Sequence, residues 1–140
     1  MAQSHCHLWV HFVWATKERK RLMKKEYRWN IINHIRNKSI EKEYHIDTVN
    51  GVEDHLHTLV AYKSTHTVSR IINDIKGESS HWINTNNILK LDFTFRWQGG
   101  YAAFSVSPNV VKNIRKYILN QEQHHKTLTL EDELKNLSKR

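Results

Sequence analysis

One cysteine and one proline stand in a chain of 140 residues. Cys6 has no partner for an intramolecular disulfide, which excludes the stapled framework of a small secreted scaffold. Glycine is scarce too, with four residues and no cluster, so no glycine-rich phosphate-cradling loop, linker, repeat or low-complexity block is present. The longest apolar run near the N-terminus, Leu8–Ala15, is broken by His11 and falls well short of the roughly 20 residues of a membrane span; no signal-peptide pattern is seen. Acidic residues are the minority charge, 14 against 22 Lys and Arg, leaving +8 with histidine neutral and a pI of about 9.7. That balance favours a polyanionic partner such as nucleic acid, although a solvated lysine surface gives the same number. Five tryptophans and 39% hydrophobic residues exclude a disordered basic tail. One domain over residues 1–140 is expected, long enough to bury a core without staples.

Hydrophobic periodicity sets the expected order of elements. Cys6, Leu8, Val10, Phe12 and Trp14 alternate with His5, His7, Trp9, His11 and Val13, which predicts a strand with one apolar face. A basic loop over 16–25 leads to a helix over about 24–43, with Tyr27, Ile31, Ile32 and Ile35 on its inner stripe. Strands over 44–49 and 52–62 flank Asn50-Gly51, a dipeptide suited to a two-residue hairpin turn. Thr65 or Thr67 caps a second helix, striped by Val68, Ile71, Ile72, Ile75, Ser79, Trp82 and Ile83 and ending near 84–87. Residues 93–107 read as an extended aromatic segment broken by Gly99-Gly100. Pro108 opens a third helix to about 125, and a short last helix over about 129–138 follows Thr129. The order implies a ferredoxin-like βαββαβ α+β fold: an antiparallel sheet with helices on one face, plus a C-terminal helix bearing Tyr117.

Two features bear on chemistry. His55 and His57, two apart on a strand, share a face and can reach one metal ion or phosphate. Spacing alone is weak evidence, because 11 histidines in 140 residues give roughly 0.9 such pairs by chance, and His5/His7 is a second one. On the third helix, Val110, Ile114, Tyr117, Ile118, Gln121 and His125 form one narrow stripe, placing a phenol and an amide at the centre of an inward face. Two explanations stand. Either a metal on His55 and His57 takes the Gln121 carbonyl oxygen as third ligand with Tyr117 beside it, or both side chains sit at a helix edge and bond to backbone.

Other residues read more blandly. His5, His7 and His11 share a face that could in principle hold a metal, but they are expected as partly exposed sheet histidines near DNA or solvent. Asp54 should point away from His55 and His57, which argues against it as a ligand. Tyr101 suits a core or base-stacking role. Lys17, Arg19, Lys20, Arg21, Lys24 and Lys25 are candidate phosphate contacts, with Lys76 and Arg70 of the same kind; an ordinary solvated loop is the equal alternative.

Taken together, His55-Leu56-His57, Trp97-Gln98-Gly99-Gly100-Tyr101, Phe104-Ser105-Val106-Ser107, and Tyr117-Ile118 followed by Gln121 and His124-His125 resemble the single-tyrosine HUH transposases. These are the TnpA-type enzymes of small bacterial insertion sequences, the IS200-like group. Trp14-Ala15-Thr16-Lys17 and Ile75-Lys76-Gly77 extend the resemblance over nearly the whole chain, with departures at Glu18 and Ala102. The resemblance implies a cytoplasmic bacterial or archaeal transposase that cleaves and rejoins single-stranded DNA, at hairpin ends of its own element, through a 5′-phosphotyrosine. It makes Tyr117 the nucleophile and His55, His57 and Gln121 the ligands of a divalent metal, Mg or Mn, of which Mn sits more easily with imidazole. It also implies a homodimer whose active sites combine the histidines of one subunit with the tyrosine helix of the other. A phenol with pKa near 10 needs such a cation to attack at neutral pH. The alternatives are a non-catalytic single-stranded nucleic-acid-binding module, against which the lack of an RNP-type aromatic-glycine signature counts, and a domesticated relative acting on chromosomal repeats. Replication initiators and relaxases use similar residues in larger chains.

Overall fold

The computed structural model describes residues 5–139. Four strands form one antiparallel sheet in the order β2-β3-β1-β4: β1 Leu8–Ala15, β2 His45–Gly51, β3 His55–Tyr62 and β4 Ala102–Val106. Helix α1 (Lys25–Glu41) joins β1 to β2, and α2 (Val68–Thr85) joins β3 to β4, which is the expected βαββαβ arrangement. Alternation along β1 sends Val10, Phe12 and Trp14 to the face covered by Ile31, Ile32 and Ile35 of α1 and Ile71, Ile72, Ile75 and Ile83 of α2. Thr67 caps α2 by accepting a hydrogen bond from the Arg70 N–H at 3.2 Å.

The other face is also covered. Leu59 and Val106 pack against Val111, Ile114 and Ile118 of α3 (Val111–Leu119), and Val13 packs against Leu130 and Leu137 of α5 (Leu130–Ser138). Strand β1 therefore has two buried faces, and His11 is buried within it while His5 and His7 beyond its start are exposed. This corrects the expectation of a partly exposed His11. The reason is the C-terminal helices, which roof the face that holds it.

Three boundaries differ from the sequence reading, each for a local reason. Asn50 and Gly51 do not turn: they lie in β2 opposite His57 and Leu56, and neither has a positive φ. The turn is the three residues 52–54, closed by the Val52 N–H to the His55 carbonyl at 3.1 Å. Gly51 is needed for close approach, since a Cβ there would lie 2.2 Å from the His55 carbonyl oxygen. Second, only Ala102–Val106 of the aromatic segment pairs as a strand, while Trp97 makes one bridge to Thr16. Third, the helix expected over 108–125 is divided. Pro108–Val110 is a 3₁₀ turn, α3 ends at Leu119, Asn120 leaves helical geometry (φ −97°, ψ 24°), and α4 runs over Gln121–His124.

Candidate active site

Strand β3 begins at the histidines. Opposite Ala15 and Val13 of β1, His55 and His57 face α3 and α5, and both are fully buried. His57 Nδ1 is 2.8 Å from His11 Nε2, and His57 Nε2 is 3.1 Å from Glu133 Oε1. His55 Nδ1 donates to Asp54 Oδ1 at 2.8 Å, while its Nε2 stands 3.3 Å from Glu133 Oε1 without hydrogen-bond geometry.

Three interactions hold α3 against this strand pair. At a bulge in β2, Asp47 receives Arg115 in a two-pronged pair, Nε at 2.8 Å and Nη2 at 2.7 Å. The Asn50 amide donates to the Ile118 and Leu119 carbonyls at 3.1 and 3.2 Å, satisfying carbonyls that the helix end leaves open. Ile114 and Ile118 supply the apolar contact. Tyr117 is thereby set with its ring centroid 5.9 Å from that of His57 and 6.1 Å from that of His11, and His124 lies against it at 4.6 Å. Its hydroxyl donates to Glu133 Oε2.

The break at Asn120 turns Gln121 fully inward. Its Nε2 donates to Glu133 Oε2 at 2.9 Å, and its Oε1 is buried with no hydrogen-bond partner among the described residues. His125, just past α4, places Nε2 2.9 Å from Glu133 Oε1 and Nδ1 2.9 Å from the Leu128 carbonyl. The structure thus brings Tyr117, His55, His57 and Gln121 to one point, and that point is the carboxylate of Glu133, which is 1% exposed. One donor atom from each of His55, His57, His125 and Glu133 falls within a span of 4.8 Å.

Charge in this cluster follows its contacts. Burial alone would raise the Glu133 carboxyl, but His125, His55 and His57 outweigh it and hold the group far below the usual carboxylate range. Burial pushes His57 down to about 4, so it is neutral near pH 7. Burial also works to lower His55, yet the Asp54 and Glu133 carboxylates raise it overall. Asp54 is likewise lowered, with His55 and Arg19 overcoming its burial.

Sequence reasoning does not single out Glu133, places His125 on the inward stripe without a role, reads His11 as a sheet histidine, and expects Asp54 to point away from His55. A signal for Glu133 does exist: it falls in the stripe Leu130, Glu133, Leu134, Leu137, where a carboxylate on the apolar face of a helix needs a buried partner. Asp54 reaches His55 because it belongs to the turn before β3 rather than to the strand.

The basic candidates are dispersed. Lys17 and Arg19 lie in a 3₁₀ turn, and Arg19 contacts Asp54 at 3.7 Å and Glu131 at 3.6 Å. Lys20 sits over the Phe93 ring at 5.1 Å, and Lys24 is exposed before α1. Lys76 donates to the Gln98 and Gly100 carbonyls at 2.9 and 2.8 Å, anchoring the 97–101 loop. Arg21 joins Arg19, Lys25, Arg28 and Lys126 around a cleft of about 600 Å³ that opens at His125. No helix among the described residues is long and apolar enough to cross a membrane.

Comparisons with known proteins bear on the fold and the family. No curated protein matches the chain. A crystal structure of a candidate transposase from Deinococcus radiodurans is similar at 21% identity and a TM-score of 0.67, over 86% of this chain and 96% of that one. A REP-associated tyrosine transposase bound to a REP hairpin is similar at 15% identity and a TM-score of 0.62, over 91% of this chain and 76% of that one. Both show the same fold. Residues 4–121 match the family described as "Transposase IS200 like", and the chain belongs to that family of transposases.

Proposed function

We propose that the protein cleaves and rejoins single-stranded DNA through a covalent 5′-phosphotyrosine at Tyr117, acting on hairpin-bearing ends of its own element. The observation that carries this reading is the meeting of the Tyr117 hydroxyl, the His57 imidazole and the Gln121 amide around one buried carboxylate. Family membership supports transposition as the setting, and the hairpin held by the REP-associated neighbour supports hairpin DNA as the partner.

A divalent cation, Mg or Mn, fits His55, His57 and Gln121. Asp54 accepts the Nδ1 proton of His55, so in the neutral ring Nε2 carries the lone pair; Gln121 Oε1 is a second buried acceptor with no donor. When bound, the cation would neutralise charge on the phosphoryl oxygens and favour phenolate. The protein's own part is positional. Arg115 and Asn50 hold α3 so that Tyr117 Oη reaches the Glu133 carboxylate beside His57. Tyr117 Oη bonds to phosphorus as the P–O3′ bond breaks. The proton lost by the phenol is balanced by the one that the departing 3′-oxygen takes up through solvent, so that strand ends as a free 3′-hydroxyl. Rejoining reverses these changes, so the phosphoester is conserved and no nucleotide cofactor is required.

Arg19, Arg21, Lys25 and Lys126 line the cleft at His125 and would contact the backbone of the entering strand, and Lys17, Lys20, Lys24 and Lys76 are further candidate phosphate contacts. Two ends call for two tyrosines, hence a homodimer. Exchange of α3 between copies would pivot at the Pro108 turn and at Asn120, where helical backbone is interrupted.

The test incubates the full chain with labelled single-stranded DNA from the flanks of its own gene, with and without Mn²⁺, on a denaturing gel. A metal-dependent protein-linked label that is absent in Tyr117→Phe is expected. Tight DNA binding without any adduct would favour the non-catalytic binding module instead.

A further inference from the structure

We propose that His125 and Glu133 are metal ligands as well, joining His55, His57 and Gln121, so that this nitrogen-rich centre selects a first-row transition ion over magnesium. The proposal rests on the reading of His55 and His57 as metal ligands and extends it to residues beyond the β3 pair.

Two hydrogen bonds fix where the imidazole protons lie. The Leu128 carbonyl can only accept, so the His125 nitrogen 2.9 Å from it, Nδ1, carries the proton. In the neutral ring Nε2 then holds a lone pair, and it points at Glu133 Oε1 from 2.9 Å. His55 repeats the pattern: Nδ1 donates to the Asp54 carboxylate, and Nε2 faces the same Oε1 from 3.3 Å. Two independent acceptors, one a carboxylate and one a backbone carbonyl, thus turn two imidazole lone pairs onto a third lone-pair atom. His57 Nε2 joins them at 3.1 Å.

Lone pairs converging in a site this dry repel unless positive charge lies among them. A single divalent cation satisfies all four donors together. Their separations of 2.9 to 3.3 Å from Oε1 match the roughly 3 Å between neighbouring ligands that share an ion at about 2.0–2.2 Å. Three imidazole nitrogens beside the oxygens suit manganese, cobalt, iron or zinc, whereas magnesium prefers oxygen ligands and retained water. Helix α5, which carries Glu133, then docks on the sheet partly through the metal.

The experiment titrates the full-length chain with Mn²⁺ by calorimetry and with Co²⁺ by its visible absorption, comparing wild type with His125→Ala, Glu133→Gln and His57→Ala. Circular dichroism melts confirm that each variant is folded. The expected result is a dissociation constant raised at least 10-fold in His125→Ala and in Glu133→Gln, a changed Co²⁺ spectrum in both, and binding lost in His57→Ala. Wild-type affinity and spectrum in either of the first two variants overturns the proposal, and tighter binding in Glu133→Gln does so by making the carboxylate an occupant that keeps metal out. If Glu133→Gln does not fold, His125→Ala decides alone. A wild-type chain that binds neither ion, or a His57→Ala chain that still binds, overturns the underlying metal reading as well.

Discussion

Asp54 and His55 are sequence neighbours, and yet the Asp54 carboxylate accepts a hydrogen bond from His55 Nδ1 at 2.8 Å. Successive residues of a strand face opposite ways, so the contact depends on Asp54 lying in the 52–54 turn. The carboxylate fixes the imidazole with Nδ1 protonated and Nε2 toward Glu133, and Arg19 steadies it from the other side at 3.7 Å. An outer carboxylate of this kind typically contributes about 10- to 100-fold in metal affinity. Asp54→Asn should therefore weaken Mn²⁺ binding by about that factor while leaving the far-UV circular dichroism unchanged. Calorimetric titration checks this, and unchanged affinity would remove Asp54 from the site.

The two glycines best placed for comparison make opposite predictions. Gly51→Ala puts a methyl group 2.2 Å from the His55 carbonyl oxygen, a backbone atom that cannot step aside without moving β3. We expect a loss of about 3 kcal/mol in urea unfolding, together with impaired cleavage because His55 moves. Gly77 lies within α2 with nothing within 4 Å of its would-be Cβ. Gly77→Ala should stabilise the protein by about 0.5–1 kcal/mol, the ordinary helix-propensity gain. Equal effects at the two positions would contradict the close-approach account of Gly51.

Stability of the metal-free protein should fall on mild acidification. His57, held at about 4 by burial, stays neutral in the fold, whereas the unfolded chain takes up a proton there below about 6.5. Its contribution is thus complete above pH 6.5 and is lost as the pH drops toward 4. His55 has the opposite sign: its raised pKa gives stability that is fully present below 6.5 and is lost only as the pH rises through the folded value, so it does not offset the decline. The lowered carboxyls of Asp47, held by Arg115, of Asp54 and of Glu133 add to the loss at lower pH. With chelator present, the urea midpoint should decrease steadily from about pH 6.5 to 4.5. A constant midpoint over that interval would show that His57 is not held neutral.

Much of this molecule is readable from its residues, and the exceptions have physical causes. The isoleucine stripes of α1 and α2 and the Thr67 cap determine their helices locally, so those elements stand where periodicity places them. Asn50-Gly51 misleads because the pair's turn preference is overridden by strand pairing: Asn50 reaches across to end α3, and Gly51 makes room for the His55 carbonyl. Tyr117 and Gln121 were legible as polar groups on an inward face, and both do face inward to one polar partner. That partner, Glu133, arrives from a helix 76 residues beyond His57, a juxtaposition that no local pattern encodes. His11 hides for a similar reason. Its burial depends on a roof of helices from the far end of the chain.

Covalent attachment at Tyr117 is the claim on which the account turns, and peptide mapping by mass spectrometry tests it most directly. The protein is incubated with Mn²⁺ and single-stranded DNA from its own flanks, digested with protease and nuclease, and searched for a nucleotide-modified peptide. The account predicts the modification on Tyr117, with a 5′-phosphate linkage and a matching strand that ends in a free 3′-hydroxyl. A nucleotide linked to any other residue, or cleaved DNA with no linked peptide at all, would contradict it.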